Sequence, residues 1–247
     1  MVKLMADLEI RERTSISLPE DGVAVIFGAN GGIGRALTHQ LQSTAEFTHI
    51  AAFSRRSAPP VDLVDEGSIA SAAQYVSDLG HVRLVIDATG FLHDSSQGPE
   101  KSWHEIEPGK LARAFSLNAI GPALMLKHLL PLFPRSGKAV FATLSARIGS
   151  IGDNKIGGWY SYRASKAALN QLVRTAAIEL KRQRPEAICV ALHPGTVDTP
   201  LSAPFRRIGL EVQSPAVAAK RLLAVIGRLE PHDSGGFFDH KGKPVPW

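Results

Sequence analysis

Residues 23–35 read VAVIFGANGGIGR, and this stretch decides the fold. Val23 to Phe27 is a continuous apolar run rich in β-branched residues. Such a run reads as a strand covered on both faces. Gly28-Ala29-Asn30-Gly31-Gly32-Ile33-Gly34 then breaks it, and a helical pattern follows at once. Glycine permits positive φ and lets a backbone or a phosphate approach with no Cβ in the way. The unpaired N–H groups and the dipole at a helix start favour an anion. Strand, glycine turn and helix in that order are the context a pyrophosphate-binding turn requires. The spacing, Gly28-x-x-x-Gly32-x-Gly34, departs from G-x-G-x-x-G. The alternative is a tight turn whose glycines serve packing alone.

Outward from this turn the same alternation recurs. Further apolar runs stand at His49–Phe53, Val82–Asp87, Lys138–Leu144, Ala187–Leu192 and Gly236–Asp239. Helical patterns fall near Ile33–Gln42, Glu66–Leu79, Lys110–Leu132, Tyr160–Arg182 and Pro215–Arg228. Strands alternating with helices predict an α/β fold, a single doubly wound parallel sheet (Rossmann fold) with helices on both faces. Between Phe53 and Val61 lies only a short Arg/Ser/Pro stretch, although a parallel crossover takes about a dozen residues. Either Val61–Val64 forms no regular strand, or it reaches the sheet edge with almost no helix before it; a trimmed helix is expected. Phe91–Gly109, Ile148–Trp159 and His193–Ser214 are loops with room for function.

The chain has 247 residues, 44% of them hydrophobic, enough to bury a core without disulfides. No repeat or long linker divides it, so one domain over 1–247 is expected. The apolar stretch from Leu124 to Phe133 is interrupted by Lys127, His128 and Pro131, far short of the ~20 residues of a membrane span. The N-terminus has no apolar signal region, and Cys189 stands alone, so a reducing, cytoplasmic setting is the expectation. Nine histidines invite a metal reading, but no H-E-x-x-H or C-x-x-C spacing occurs. No G-x-S-x-G elbow supports a hydrolase. Asp21, Asp62 and Asp87 lie at strand ends without the spacing of a hydrolytic pair. The net charge is +5, but its basic residues are scattered, with short clusters at Arg55-Arg56, Lys181-Arg182 and Arg206-Arg207. Neither nucleic acid nor membrane is expected as a partner.

Ser54-Arg55-Arg56 follows the second strand, where a reader of the adenine ribose would sit. An acid there favours NAD; arginines offer a planar fork suited to the 2′-phosphate of NADP. NADP(H) is therefore the preferred cofactor and NAD(H) a possible one, against the alternative of two solvated arginines. Tyr162 and Lys166 are four residues apart, on one helix face. A neighbouring ammonium stabilises phenolate and brings tyrosine, with an ordinary pKa near ~10, towards acid–base work.

The glycine turn, Asp62-Leu63, Asp87-Ala88-Thr89-Gly90, Asn118, Ser145, Tyr162-x-x-x-Lys166 and Pro194-Gly195-Thr196-Val197-Asp198-Thr199 occur in the order seen in short-chain dehydrogenases/reductases. The chain resembles that family over nearly its whole length, and SARIGSIGDNKIGGW before YSYRASKAALN resembles the C-factor and Sniffer-type carbonyl reductase group. The resemblance implies hydride transfer between NADPH and a carbonyl or alcohol substrate. Tyr162 would be the acid in reduction and the base in oxidation. Lys166 would hold the nicotinamide ribose and depress the Tyr162 pKa, and Ser145 would hydrogen-bond the carbonyl oxygen. Asn118 would help hold a water leading from Lys166 to solvent. Asp62 would meet the adenine amino group, and Ala88, Thr89 and Gly90 would back the ribose. Pro194, Gly195, Val197 and Thr199 would shape the nicotinamide pocket.

Three positions depart from the family pattern. Phe27 stands where the turn usually begins with Thr, and Asp87-Ala88-Thr89-Gly90 replaces Asn-Asn-Ala-Gly. Alignment on Gly149 puts Ala146 where relatives carry the acting serine, with Ser145 one residue early. One residue in a strand turns a side chain to the other face, so Ser145 serves only if the strand has already ended. Ser161 and Thr143 are substitutes. Residues about 199–214 are a lid over the substrate or a mobile basic loop. The group also allows a signalling or regulatory cofactor-binding protein with little turnover. A homodimer or homotetramer through the Lys110–Leu132 and Tyr160–Arg182 helices is expected from relatives.

Overall fold

The computed structural model describes Leu18, residues 22–205 and residues 211–247. Asp21, Arg206 and Arg207 lie outside them. The elements run β1 (Val23–Phe27), α1 (Gly32–Thr44), β2 (His49–Phe53), α2 (Glu66–Leu79), β3 (Val82–Asp87), α3 (Pro108–Phe115) and α4 (Gly121–Leu129). They continue with β4 (Ala139–Leu144), α5 (Tyr160–Gln183), β5 (Ala187–His193), β6 (Thr196–Val197), β7 (Val212–Gln213), α6 (Pro215–Arg228) and β8 (Phe237–Asp239). Six strands form one parallel sheet in the order β2-β1-β3-β4-β5-β8, with β6 and β7 as a separate parallel pair.

Both faces of the sheet are covered, because alternate residues of each strand enter different cores. Val23, Val25 and Phe27 join Ile69 of α2, Met125 of α4 and Leu169 of α5. Ala24 and Ile26 join Leu37 and Leu41 of α1 and Leu222 and Ile226 of α6. Each fully buried leucine contributes roughly 1.5–3 kcal/mol over its exposed state. The doubly wound architecture expected from the apolar runs is therefore the one observed.

Two local expectations change. Residues 54–65 contain neither the trimmed helix nor a strand at Val61–Val64. Pro59 and Pro60 remove two donors and bias the residues before them away from helix. The Ser57 hydroxyl ties the loop to itself, its one proton lying between Ser54 O and Pro59 O, each 2.7 Å from the oxygen. β2 is thus left as the edge strand. The single helix expected over Lys110–Leu132 is divided: a π-turn at Ser116–Ile120 separates α3 from α4, and a 3-10 turn occupies Leu130–Leu132. Pro122 has no N–H and its ring crowds the carbonyl of Asn118, so the helix widens there, with Gly121 N–H reaching back to Ser116 O.

Candidate active site

The glycine turn closes against the next strand end. Gly28 has φ +77°, and a Cβ there would sit 2.9 Å from the Ala88 carbonyl carbon. A Cβ on Gly34 would sit 2.2 Å from Gly28 O, and one on Gly32 would sit 2.6 Å from Thr199 Cγ2. Gly31 caps α1 with no side chain to satisfy the first N–H groups, which stay available to an anion. Ile33, in the first turn, packs on the α1 side of the sheet. This is a cradle that only a backbone without side chains can form.

From the turn a cleft of about 1010 Å³ runs along the C-terminal ends of β1, β2 and β3. Its walls include Asn30, Ser54, Arg55, Arg56, Asp62, Leu63, Ala88, Thr89 and Gly90, so these expected residues are brought together. Asn30 Nδ2 donates to Ser54 Oγ at 2.8 Å, joining the glycine turn to the end of β2. Arg55 and Arg56 are exposed, and among the described residues neither guanidinium has a hydrogen bond or ion pair. The Asp62 carboxyl accepts from Val64 N–H at 3.1 Å, while Leu63 fills the space left by Gly121. Arg35, Phe91 and His93 also line the cleft, and no motif in the sequence marks them.

Gly90 connects this cleft to the expected proton-transfer residues, because a Cβ at Gly90 would lie 3.8 Å from Lys166 Nζ. Lys166 is only 2% exposed and donates to Leu144 O at 2.8 Å, leaving two ammonium protons uncommitted. Burial lowers its pKa to about 8, against a smaller opposing pull from Asp87. Asp87, fully buried, accepts from Thr89 N–H at 2.9 Å, Thr89 Oγ1 at 2.5 Å and Thr143 Oγ1 at 2.6 Å. The unusual Asp-Ala-Thr-Gly sequence therefore makes its own β3–β4 contact, and Thr143 is committed to it. Tyr162 is half-buried on the same face of α5, and desolvation pushes its phenol up to about 12, opposite to the lowering by Lys166 that the resemblance implied. Trp159 stands edge-on at 6.2 Å from Tyr162; Phe205 lies 4.9 Å from Trp159 and 5.2 Å from His93.

Two further expected site residues, Ser145 and Asn118, have hydrogen-bond partners within the protein. Ser145 does lie beyond the last residue of β4, but its side chain is buried and its hydroxyl donates to Asn170 Oδ1 of α5 at 2.6 Å. Its backbone N–H still pairs with Leu192 O at 2.8 Å, so the strand direction persists and turns Ser145 towards α5. No hydrogen bond links it to Tyr162 among the described residues. Asn118 is also committed: Nδ2 donates to Phe91 O at 2.8 Å and Ser165 Oγ at 3.1 Å, and Oδ1 accepts from Phe91 N–H at 2.7 Å. Both amide protons are used, so the side chain fastens the Gly90–Phe91 backbone beside Lys166. Ser161, the other substitute serine, donates to buried Glu100.

The Pro194–Thr199 turn packs onto the glycine turn through Thr199. Gly195 has φ +77°, and a Cβ there would meet Gln213 Nε2 at 2.7 Å. Val197 is buried in β6, and Thr199 packs against Gly32, bringing this turn onto the glycine cradle. Among the described residues no group of three or more His, Cys, Asp or Glu could hold a metal, and no helix is long and apolar enough to cross a membrane.

A family model described as "Enoyl-(Acyl carrier protein) reductase" matches residues 22–228. The chain is 39% identical over 145 residues to "C-signal" of Myxococcus xanthus, covering 58% of this chain and 82% of that protein. It is 29% identical over 234 residues to "1-hydroxy-2-glutathionyl-2-methyl-3-butene dehydrogenase" of Rhodococcus sp. (strain AD45), covering 90% and 98%. In fold it is similar to the carbonyl reductase Sniffer of D. melanogaster, with a TM-score of 0.79, 22% identity and coverage of 92% and 99%. The NADPH-bound carbonyl reductase from chicken fatty liver gives a TM-score of 0.79 at 24% identity, covering 95% and 98%. With the family model spanning most of the chain, from the glycine turn through Tyr162 and Lys166 to the Pro194–Thr199 turn, the protein belongs to the short-chain dehydrogenase/reductase family of oxidoreductases.

Proposed function

We propose that this protein is an NADPH-dependent carbonyl reductase. The observation that carries the reading is Tyr162 on one helix face with the buried Lys166, whose ammonium lies beside Gly90 of a cleft that Arg55 and Arg56 also line. NADPH, when bound, supplies the hydride from its nicotinamide ring to the carbonyl carbon. The glycine cradle and the α1 N-terminus suit its pyrophosphate, and the two unpaired arginines suit its 2′-phosphate. In this reading Lys166 offers its two uncommitted protons to the ribose hydroxyls, and Asn118 keeps the Gly90–Phe91 backbone against them. Tyr162 donates its proton to the carbonyl oxygen. A phenol that keeps its proton at neutral pH is ready for reduction; oxidation first requires that proton to leave. The chain acts as one domain with a lid at about 199–214, of which 206–210 lie outside the described residues and Phe205 packs on Trp159. Assembly through α3, α4 and α5 belongs to the same reading, since Ile120 and Ile178 are half exposed there.

The test is NADPH consumption against a panel of aldehydes, ketones and quinones, with Tyr162→Phe as control. A second reading, a cofactor-binding signalling protein, draws on the likeness to C-signal and on the commitment of Ser145 to Asn170. It prevails if wild type and Tyr162→Phe are equally inactive while both bind NADPH.

Cofactor choice and pH dependence follow from separate groups. Arg55→Asp is expected to weaken NADPH by about 10- to 100-fold, the scale of a lost charge-assisted hydrogen bond, and NADH by far less. Equal losses in a fluorescence titration rule out the arginine as the 2′-phosphate reader. The Lys166 ammonium is lost above about pH 8, so NADPH affinity is expected to fall as pH rises through that value. The same group contributes oppositely to folding. Its lowered pKa means that the unfolded chain binds more protons between about 8 and 10.5, so its contribution to stability improves with rising pH in that window. Paired binding and denaturation curves across this range separate the two trends.

A further inference from the structure

The entry to α5 is held from outside the helix. Gly157, Gly158 and Trp159 have φ of +70°, +66° and +56°, three successive left-handed residues before Tyr160. That conformation is uncommon for a bulky side chain, and Trp159 provides no side-chain cap. The missing cap comes from the long connection between β3 and α3. Glu100, 2% exposed, accepts Ser161 N–H at 3.1 Å on Oε2 and the Ser161 hydroxyl on Oε1. Its backbone carbonyl accepts Trp159 N–H at 2.5 Å. One residue thus satisfies the first turn of α5 at two points on either side of Tyr160, directly before Tyr162. The same connection is fastened at its other end, at Phe91, by Asn118 beside Lys166.

We propose that Glu100 is a positioning residue for Tyr162: it caps α5 from the β3–α3 connection and sets where the phenol points. This rests on the reading of Tyr162 as the proton donor. Trp159, through its contacts with Tyr162 and Phe205, takes its place from the same anchor. A carboxyl at a helix start is favoured by the dipole, yet no mechanism so far requires this one to be buried 61 residues away in sequence from Ser161. Its burial is explained by the turn it holds.

The experiment compares Glu100→Ala and Glu100→Gln with wild type. Amide hydrogen exchange is measured over the start of α5, and kcat is expressed per NADPH-binding site. Glu100→Ala is expected to speed exchange at Ser161 and Tyr162 by about fivefold or more, the scale of a lost cap. It is also expected to lower kcat by roughly 10- to 100-fold, as a misplaced catalytic group does, with the carbonyl KM changed by less than about threefold. Glu100→Gln restores both, because an amide oxygen accepts the N–H and the serine hydroxyl can accept from the amide. Unchanged kcat per site with only a lower melting temperature overturns the proposal, as does unchanged exchange. If wild type turns over no carbonyl, the enzyme reading fails. The exchange pattern then still decides whether Glu100 holds the turn of Tyr162. Should Glu100→Ala not fold, Glu100→Asp, with a shorter arm, takes its place and is expected to give the intermediate exchange rate; a wild-type rate overturns the proposal.

Discussion

Tyr162→Phe is expected to lower NADPH-driven carbonyl reduction by about 10²- to 10⁴-fold, the range of a removed general acid. NADPH affinity should change by less than about threefold. The substitution deletes one oxygen and leaves the ring, so the contact with Trp159 and the packing of α5 persist. Lys166 keeps its bond to Leu144 O. None of the candidate hydroxyls takes over the proton: the Ser145 hydroxyl is turned to Asn170, Thr143 to Asp87 and Ser161 to Glu100. Single-turnover measurements with saturating NADPH separate the chemical step from binding. A Phe variant that retains more than about a tenth of the wild-type rate excludes Tyr162 as the acid.

Gly34→Ala should abolish cofactor binding and destabilise the fold at its first crossover. The new Cβ would lie 2.2 Å from Gly28 O and 2.7 Å from Gly28 C. Both are backbone atoms, so no side-chain rotation relieves the contact. The turn must open, and Gly28 cannot retreat because Ala88 lies on its other side. Overpacking of this kind costs about 1–3 kcal/mol in an ordinary core, and more where only backbone can move. NADPH affinity should fall by over about 100-fold, since the pyrophosphate depends on the same N–H groups. Calorimetric titration with a thermal melt checks both. Near-wild-type affinity would show that the turn has slack absent from this geometry.

Much of the fold was legible because its strands are buried on both faces. The apolar runs at Val23–Phe27, His49–Phe53 and Val82–Asp87 appear as strands with unchanged bounds. The glycine turn was legible for a related reason, since a missing Cβ is itself a sequence property. Less visible was the break in the Lys110–Leu132 helix: Pro122 can be read, but the widening at Asn118 is a response of the backbone four residues earlier. The stretch 54–65 could be seen to be short, yet its lack of any helix follows from the prolines and from Ser57 bonding within its own loop.

By itself the sequence determined the alternating architecture, the place of the glycine turn and the pairing of Tyr162 with Lys166 on one helix face. Those depend on local period, on glycine and on fixed helical spacing. Tertiary structure decided the direction of Ser145, which hinges on whether strand geometry persists one residue past Leu144. It decided the commitment of Asn118 to Phe91 and the burial of Glu100 at the start of α5. A polar side chain in a loop has the same local sequence whether it meets water or a helix end. Only the packing of distant segments removes the water and selects the partner.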